Sequence, residues 1–90
     1  MSPPASWLQV GQSVSLIRPS SINVVQAAGR VLRVSAGEFI LGLDEKSWDI
    51  FGRCVFSLTQ GDLRCTSVGF AERLTPERLI CRPVSPWQEI

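Results

Sequence analysis

The chain has 90 residues, 44% of them hydrophobic, and a formal net charge of +1. This length predicts one domain, spanning residues 1–90, and the hydrophobic share is too high for a disordered chain. The near-neutral charge argues against broad electrostatic attraction to nucleic acid or to an anionic membrane. No apolar run approaches the length of a membrane span, so we expect no membrane insertion.

The residue types argue against most enzyme chemistry. The chain contains neither His nor Tyr, which excludes Ser-His-Asp and Cys-His catalysis and histidine metal sites. A carboxylate pair is the remaining option, but the eight acidic residues are scattered. Three separated cysteines, without a Cys-x-x-Cys motif, favour reduced and buried thiols over a disulfide scaffold or a metal site. They are Cys54, Cys65 and Cys81. We therefore expect a non-enzymatic protein without a cofactor or metal.

The N-terminus bears on location. Residues 1–7 have no basic region and no long apolar run, so they do not resemble a signal peptide. Together with the cysteines, this predicts a cytoplasmic protein.

Alternating apolar residues, bounded by turn residues, predict six strands in chain order. Their expected ranges are about 10–17, 24–34, 38–43, 53–59, 62–74 and 78–82. In the second strand the apolar side changes across Gly29-Arg30, which places Leu32 and Val34 together on the other face and indicates a bulge or bend at a barrel corner. Gly37 is expected at positive φ in a hairpin turn, and Phe39 is expected to be buried. The connection over 44–52 is too short for a crossover helix, which predicts antiparallel pairing. Residues 1–9 and 84–90 are predicted to be flanking tails.

The two halves of the chain match each other in order. Gly11-x-x-Val14-x-x-Ile17 corresponds to Gly52-x-x-Val55-x-x-Leu58 at an offset of 41, and the later blocks correspond at an offset of 40. Each half therefore reads as strand, long Gly-bent strand, short strand. A lone three-stranded meander leaves an apolar face and two edges open, whereas two of them bury both faces. We expect an all-β fold, a small six-stranded antiparallel split barrel with a pseudo-twofold internal repeat.

A pattern of glycines and alternating apolar residues runs over roughly residues 10–83. Its segments are Val10-Gly-Gln-x-Val, Ala28-Gly-Arg-Val, Phe39-Ile-Leu-Gly-Leu, Phe51-Gly-Arg-x-Val-Phe-x-Leu, Gly69 and Leu79-Ile-Cys-Arg-Pro. This pattern resembles the split β-barrel of PilZ-type proteins and the PilZ-like barrel that precedes PilZ in flagellar-brake proteins. The resemblance implies a bacterial cytosolic module connected with cyclic di-GMP signalling, surface motility or exopolysaccharide export.

The nucleotide motifs of that family are degraded in this chain. The family's Arg-x-x-x-Arg, which grips phosphates and guanine edges, has no counterpart, because residues 1–10 contain no basic residue. The nearest match to Asp/Asn-x-Ser-x-x-Gly keeps Ser35 but has Arg33 and Glu38 at its ends. The resemblance thus implies the barrel without cyclic di-GMP binding by the standard motif. It also implies that members of this kind act by contacting a protein partner.

Two sets of residues are candidates for binding. The tails carry apolar side chains outside the repeat, and tryptophan is a favoured interface anchor; the other interpretation is that both tails cover the barrel ends. These partner-binding candidates are Trp7, Leu8, Trp87 and Ile90.

The second set is basic and comes from one region, and small barrels often bind oligonucleotides across one face. Its members are Arg18, Arg30 and Arg33, with Ser35 beside them. A solvated barrel exterior explains the same arginines. We expect protein–protein contact as the function, with nucleotide or RNA binding at this arginine set as the alternative, although the net charge disfavours nucleic acid. An exposed edge strand would also permit a homodimer.

Overall fold

The structure is a computed structural model that describes residues 8–18, 21–45, 52–60, 63–84 and 88–89. Every regular element in these ranges is a β-strand and every pairing is antiparallel, which confirms the all-β prediction. The strands are β1 (Ser13–Arg18), β2 (Ser21–Ser35), β3 (Glu38–Leu43), β4 (Gly52–Gln60), β5 (Leu63–Thr75), β6 (Arg78–Pro83) and β7 (Gln88–Glu89). The third strand has the predicted bounds, and the other five predicted strands shift by up to three residues at their ends. No helix in the described ranges is long and apolar enough to cross a bilayer.

Six strands close into a barrel. Their hydrogen-bonded order is β4-β1-β2-β3-β6-β5, and β4 also pairs with β5. The meanders β1–β2–β3 and β4–β5–β6 are joined by the β1–β4 and β3–β6 ladders. Closure removes the raw edges that each meander would have alone, so the predicted barrel is confirmed.

The two long strands each serve two partners. In β2, Gly29 pairs with Val14 on one side and with Leu43 on the other. In β5, Gly69 pairs with Cys54 and with Pro83. Each glycine therefore lies where its strand passes from one ladder to the next.

Close backbone approach explains why these positions are glycine. A Cβ built on Gly29 would collide with the Gly42 carbonyl, and one built on Gly69 would lie 2.6 Å from the Pro83 Cα. Neither glycine has positive φ; that conformation occurs at Gly37, in the predicted hairpin turn, where φ is 78°.

A bulge lies later in β2 than the sequence predicts. The β2–β3 ladder shifts between Val31 and Arg33, so Leu32 is the extra residue. Val34 then packs against the core. The predictions that the slip lies at Gly29-Arg30, and that Val34 shares a face with Leu32, are wrong because one inserted residue restores the inward alternation.

The ladders of the two halves correspond at an offset of 40 residues around Gly29 and Gly69. Val14 pairs with Gly29 as Cys54 pairs with Gly69. The predicted offset of 41 for the first strand is therefore not that of the ladders, since it would align buried Val14 with half-buried Val55. Both strands are preceded or begun by a positive-φ glycine, at 11 and at 52. These glycines are 41 residues apart, which explains why the sequence match predicts an offset of 41 for the first strand.

The core fills the barrel with the inward residues of both halves. Its centre includes Phe39 and Phe56, whose rings meet edge to face with centroids 5.5 Å apart. Both side chains are fully buried, as predicted for Phe39, and each burial stabilises the fold by about 1.5–3 kcal/mol. The other buried members of this cluster are Leu8, Val14, Leu16, Ala27, Val31, Leu41, Cys54, Leu58, Ala71, Leu79 and Cys81.

The predicted C-terminal tail contributes a strand. In β7, Gln88 pairs with Thr66 and Glu89 with Cys65. These contacts cover part of the outer edge of β5. The turn at 61–62 and most of the 44–52 connection lie outside the described residues.

Candidate functional site

The outer surface of β3 and β6 carries an apolar pair at its centre. Phe39 and Leu41 point into the core, so Ile40 between them points outward. By the same alternation Ile80 points outward from β6. Ile40 and Ile80 are directly paired across the β3–β6 ladder and are half-buried. We call this surface, with the outward residues of β2 and β5 that flank it, the β3–β6 face.

The β2 side of the β3–β6 face combines one exposed leucine with two arginines, because Arg33 pairs with Ile40 and Arg30 with Gly42. Leu32, on the β2 bulge, is 45% exposed. A Cβ built on Gly42 would lie 2.9 Å from Leu32 Cδ1, so the leucine lies over the space that the missing side chain leaves on β3. Arg78 pairs with Gly42 from the other side. The glycine thus lets an apolar side chain lie flat against the sheet.

The other side of the face is charged. Arg82 corresponds to Gly42 at the offset of 40, and it forms ion pairs with Glu72 at 3.3 Å and with Glu38 at 3.8 Å. Glu72 pairs with Ile80 across the β5–β6 ladder. Phe70, which pairs with Arg82, is an exposed aromatic residue beside this network. All three charged side chains are at least one-third exposed, so their pairing contributes only about 0–1 kcal/mol to stability.

A cleft of about 410 Å³ opens on the outer face of β1 and β4. Ser15 and Ser57 face each other across the β1–β4 ladder, and Ser57 is buried although it points away from the core. The lining residues are Ser13, Ser15, Ile17, Val25, Ser57, Leu58 and Thr59. These hydroxyls can exchange hydrogen bonds with a ligand, but the lining offers no carboxylate or amine to activate them.

The structure separates the predicted arginine set. Arg30 pairs with Ser13, and its Nη1 donates to the Gly11 carbonyl at 3.1 Å. Arg33 pairs with Ile40 on the same outer side of β2. Arg18 ends β1 five residues from Ser13, roughly 16 Å along the strand.

Ser35 has a local role in the structure. Its hydroxyl donates to the Glu38 carbonyl at 3.5 Å, across the β2–β3 hairpin. Arg30 and Arg33 are therefore neighbours, whereas Arg18 lies at the other end of the ladder and Ser35 is engaged with the turn.

Of the predicted partner-binding residues, Leu8 is described and is only 5% exposed. It belongs to the core cluster, so its side chain is not available as a surface anchor, as the interpretation of a covering tail expects. Trp7, Trp87 and Ile90 lie outside the described residues.

The three cysteines are free and buried, which confirms the burial predicted for them. Burial raises the pKa of Cys54 to about 12. Burial, with a smaller contribution from neighbouring Cys54, raises the pKa of Cys81 still further. Both thiols are therefore protonated at neutral pH and poor nucleophiles. Within the described ranges no three His, Cys, Asp or Glu side chains come together as a metal site.

No protein-family model, curated protein or solved structure matches this chain. The likeness to PilZ-type barrels therefore stays a prediction from the pattern of residues.

The β3–β6 face was not among the sites predicted from the sequence. A signal for it exists, because the short strands do not alternate: Phe39-Ile40-Leu41 and Leu79-Ile80-Cys81 are apolar at every position. Such runs indicate strands with apolar side chains on both faces. The closeness of Leu32 to Gly42 depends on the bulge and was not predictable from periodicity.

Proposed function

We propose that this chain is a non-enzymatic binding module whose β3–β6 face contacts a protein partner. The observation that carries the proposal is the pair Ile40–Ile80 beside Leu32, which lies over Gly42 on the outside of the barrel. Apolar side chains grouped on one outer face, with charged residues at the margin, are typical of an interface core and its rim.

The charged side of the face adds specificity to this proposal. Arg82 lies between Glu38 and Glu72, so the surface offers both signs of charge next to its apolar part. A partner with complementary charges would be oriented by this network, because rim charges set register and association rate more than affinity.

The resemblance to PilZ-type barrels supports a setting for this module. It favours a bacterial cytoplasmic system linked to cyclic di-GMP signalling, motility or exopolysaccharide export. The degraded motif at Arg33–Glu38 supports action through a protein partner without the standard nucleotide site.

Nucleotide or RNA binding is the second candidate, and Arg30 and Arg33 on the outside of β2 are the observation in its favour. Arg18 lies at the other end of the β1–β2 ladder, and the Arg30 guanidinium already donates a hydrogen bond to the Gly11 carbonyl. Phosphate recognition gains most from guanidinium groups that converge, so this arrangement supports the protein partner better.

The test compares parent and variant proteins as baits in a bacterial lysate. Leu32 is 45% exposed on the bulge of β2, so the folded barrel accommodates Leu32→Glu. Val10→Glu is the matched control, because Val10 is exposed outside the face. Burying a charge at an interface core costs several kcal/mol, and each 1.4 kcal/mol is tenfold in affinity.

We expect quantitative mass spectrometry to find the same enriched protein with the parent and with Val10→Glu, and to find it lost with Leu32→Glu. Retention of that partner by a folded Leu32→Glu variant would contradict the proposal. Titration with labelled cyclic di-GMP and with short single-stranded RNA tests the second candidate. If either ligand binds the parent and no longer binds Arg33→Ala, that ligand replaces the protein partner in the proposal.

A further inference from the structure

Three arginines border the apolar centre of the β3–β6 face. Arg30 and Arg78 lie on either side of Gly42 in one cross-strand row, so their Cα atoms are two strand spacings apart, roughly 10 Å. Arg33 lies in the next row, where it pairs with Ile40. All three arginine side chains are exposed. Their guanidinium groups can therefore reach a ligand that lies over the glycine.

The two carboxylates of the face are matched within the face itself. Glu38 and Glu72 both form ion pairs with Arg82, at 3.8 and 3.3 Å. In the described part of the chain, Arg33 and Arg78 form no ion pair. The unmatched charge beside the apolar centre is therefore positive.

One hydrogen-bond acceptor and one further carboxylate lie close to Arg30. The acceptor is the neutral Gly11 carbonyl, so the positive charge of Arg30 is kept and its other N–H groups remain available. The Asp44 amide donates to the Ala28 carbonyl, which places Asp44 one row beyond Arg30. Asp44 is exposed and forms no ion pair with a described residue. At roughly 7 Å along the strands it offsets the arginine only weakly, because water screens both charges.

The side chains between the arginines favour a protein over a nucleic acid. Leu32, Ile40 and Ile80 are aliphatic, so they can pack on apolar side chains but offer no ring on which a base can stack. Phe70 is exposed, but it lies in the Arg82 row, away from the three arginines. The cationic part of the face is thus combined with an aliphatic surface and not with an aromatic one.

We infer that the partner of the β3–β6 face presents an acidic segment. Aliphatic side chains of this segment pack on the apolar centre, and carboxylates beside them meet the three arginines. A guanidinium group donates two parallel hydrogen bonds to a carboxylate, which fixes the position of the bound segment as well as attracting it. This inference rests on the proposed function and adds the chemistry of the partner.

The test selects peptides from a phage-displayed library of random short sequences, with the full chain as the target. Peptides that bind the parent but not Leu32→Gln are those that need the β3–β6 face. This variant removes the apolar group without adding a charge, so it does not itself favour acidic peptides. We expect the selected peptides to combine Asp or Glu with Leu, Ile or Val and to have a net negative charge.

A synthetic copy of one selected peptide is then titrated against single variants by fluorescence anisotropy. Arg33→Gln and Arg78→Gln should each weaken its binding roughly fivefold. Arg18→Gln is the matched control, because this exposed arginine lies at the other end of the β1–β2 ladder, and it should bind the peptide like the parent. Thermal melts by circular dichroism establish that each variant is folded.

The outcomes separate the inference from the proposed function. Neutral or basic peptides that need Leu32 would overturn the inference and leave the proposed function in place. If no peptide distinguishes the parent from Leu32→Gln, the proposed function fails and the inference fails with it. An acidic peptide that binds both arginine variants as tightly as the parent would also overturn the inference. So would short single-stranded RNA that binds the parent more tightly than the peptide and no longer binds Arg33→Gln.

Discussion

Replacing Gly29 by alanine should destabilise the barrel far more than the same replacement at Gly42, although the two residues adjoin on one ladder. A Cβ on Gly29 would collide with the Gly42 carbonyl oxygen and lie 3.1 Å from the Leu43 Cα. Both obstacles are backbone of the neighbouring strand. A Cβ on Gly42 would meet only side-chain atoms of Leu32, which is half exposed and can rotate away.

The expected magnitudes follow from this difference. Overpacking a rigid site costs about 1–3 kcal/mol, and a collision with backbone places Gly29→Ala near the upper limit. Gly42→Ala should stay within about 1 kcal/mol of the parent, because the loss of a flexible strand glycine offsets the movement of Leu32. For a chain of this length about 3 kcal/mol lowers the melting temperature by roughly 12–24 °C.

Thermal melts followed by circular dichroism, with urea titrations for the free energy of unfolding, measure both variants. Gly69→Ala provides a repeat of the test in the second half, since its Cβ would lie 2.6 Å from both Pro83 Cα and Phe56 Cε2. Equal melting temperatures for Gly29→Ala and Gly42→Ala would refute the argument from close approach.

Three further outcomes are expected. The free energy of unfolding should fall as pH rises from about 9 towards about 12, because Cys54 and Cys81 ionise in the unfolded chain while burial keeps them protonated in the fold. Urea titrations should show a loss of about 1.4 kcal/mol per pH unit for each thiol. Cys54→Ala should reduce that slope. Phe39→Ala should cost about 3–5 kcal/mol in a urea titration, since it removes a fully buried ring in contact with Phe56, and a cost below about 1 kcal/mol would contradict its central place. Arg82→Ala should change the free energy of unfolding by less than about 1 kcal/mol, because its ion pairs are exposed, and a larger loss would mean that the network is structural.

Much of the fold could be predicted from the sequence because one inward face gives a period of two. Val14 and Leu16 alternate with serines in β1, and Phe39 and Leu41 occupy alternate positions in β3. The strand positions and the hairpin turn at Gly37 were therefore predictable. The glycine-bent long strands indicated two meanders, and closure follows from their open faces.

The bulge and the final strand could not be predicted in this way. A bulge at Leu32 moves one side chain outward and then restores the alternation, so the pattern cannot tell it from a bend at Gly29. β7 has only two residues, too few to show a period.

The candidate site depends on contacts between strands far apart in sequence. Ile40 meets Ile80, and Arg82 meets Glu38, only because β3 pairs with β6. Sequence reasoning instead selected residues by type, such as Arg18 and Leu8, which the structure places at a distant strand end and in the core. Residue type indicated what could bind, but the pairing of strands decided which side chains share a surface.

Closure of the barrel by the β1–β4 and β3–β6 ladders is the claim on which the β3–β6 face and the glycine predictions both depend. Cross-strand nuclear Overhauser effects between backbone protons measure it directly. We predict effects between Ser15 and Ser57 and between Ile40 and Ile80 in the same spectrum. Two meanders that show their internal contacts but neither of these pairs would contradict the account.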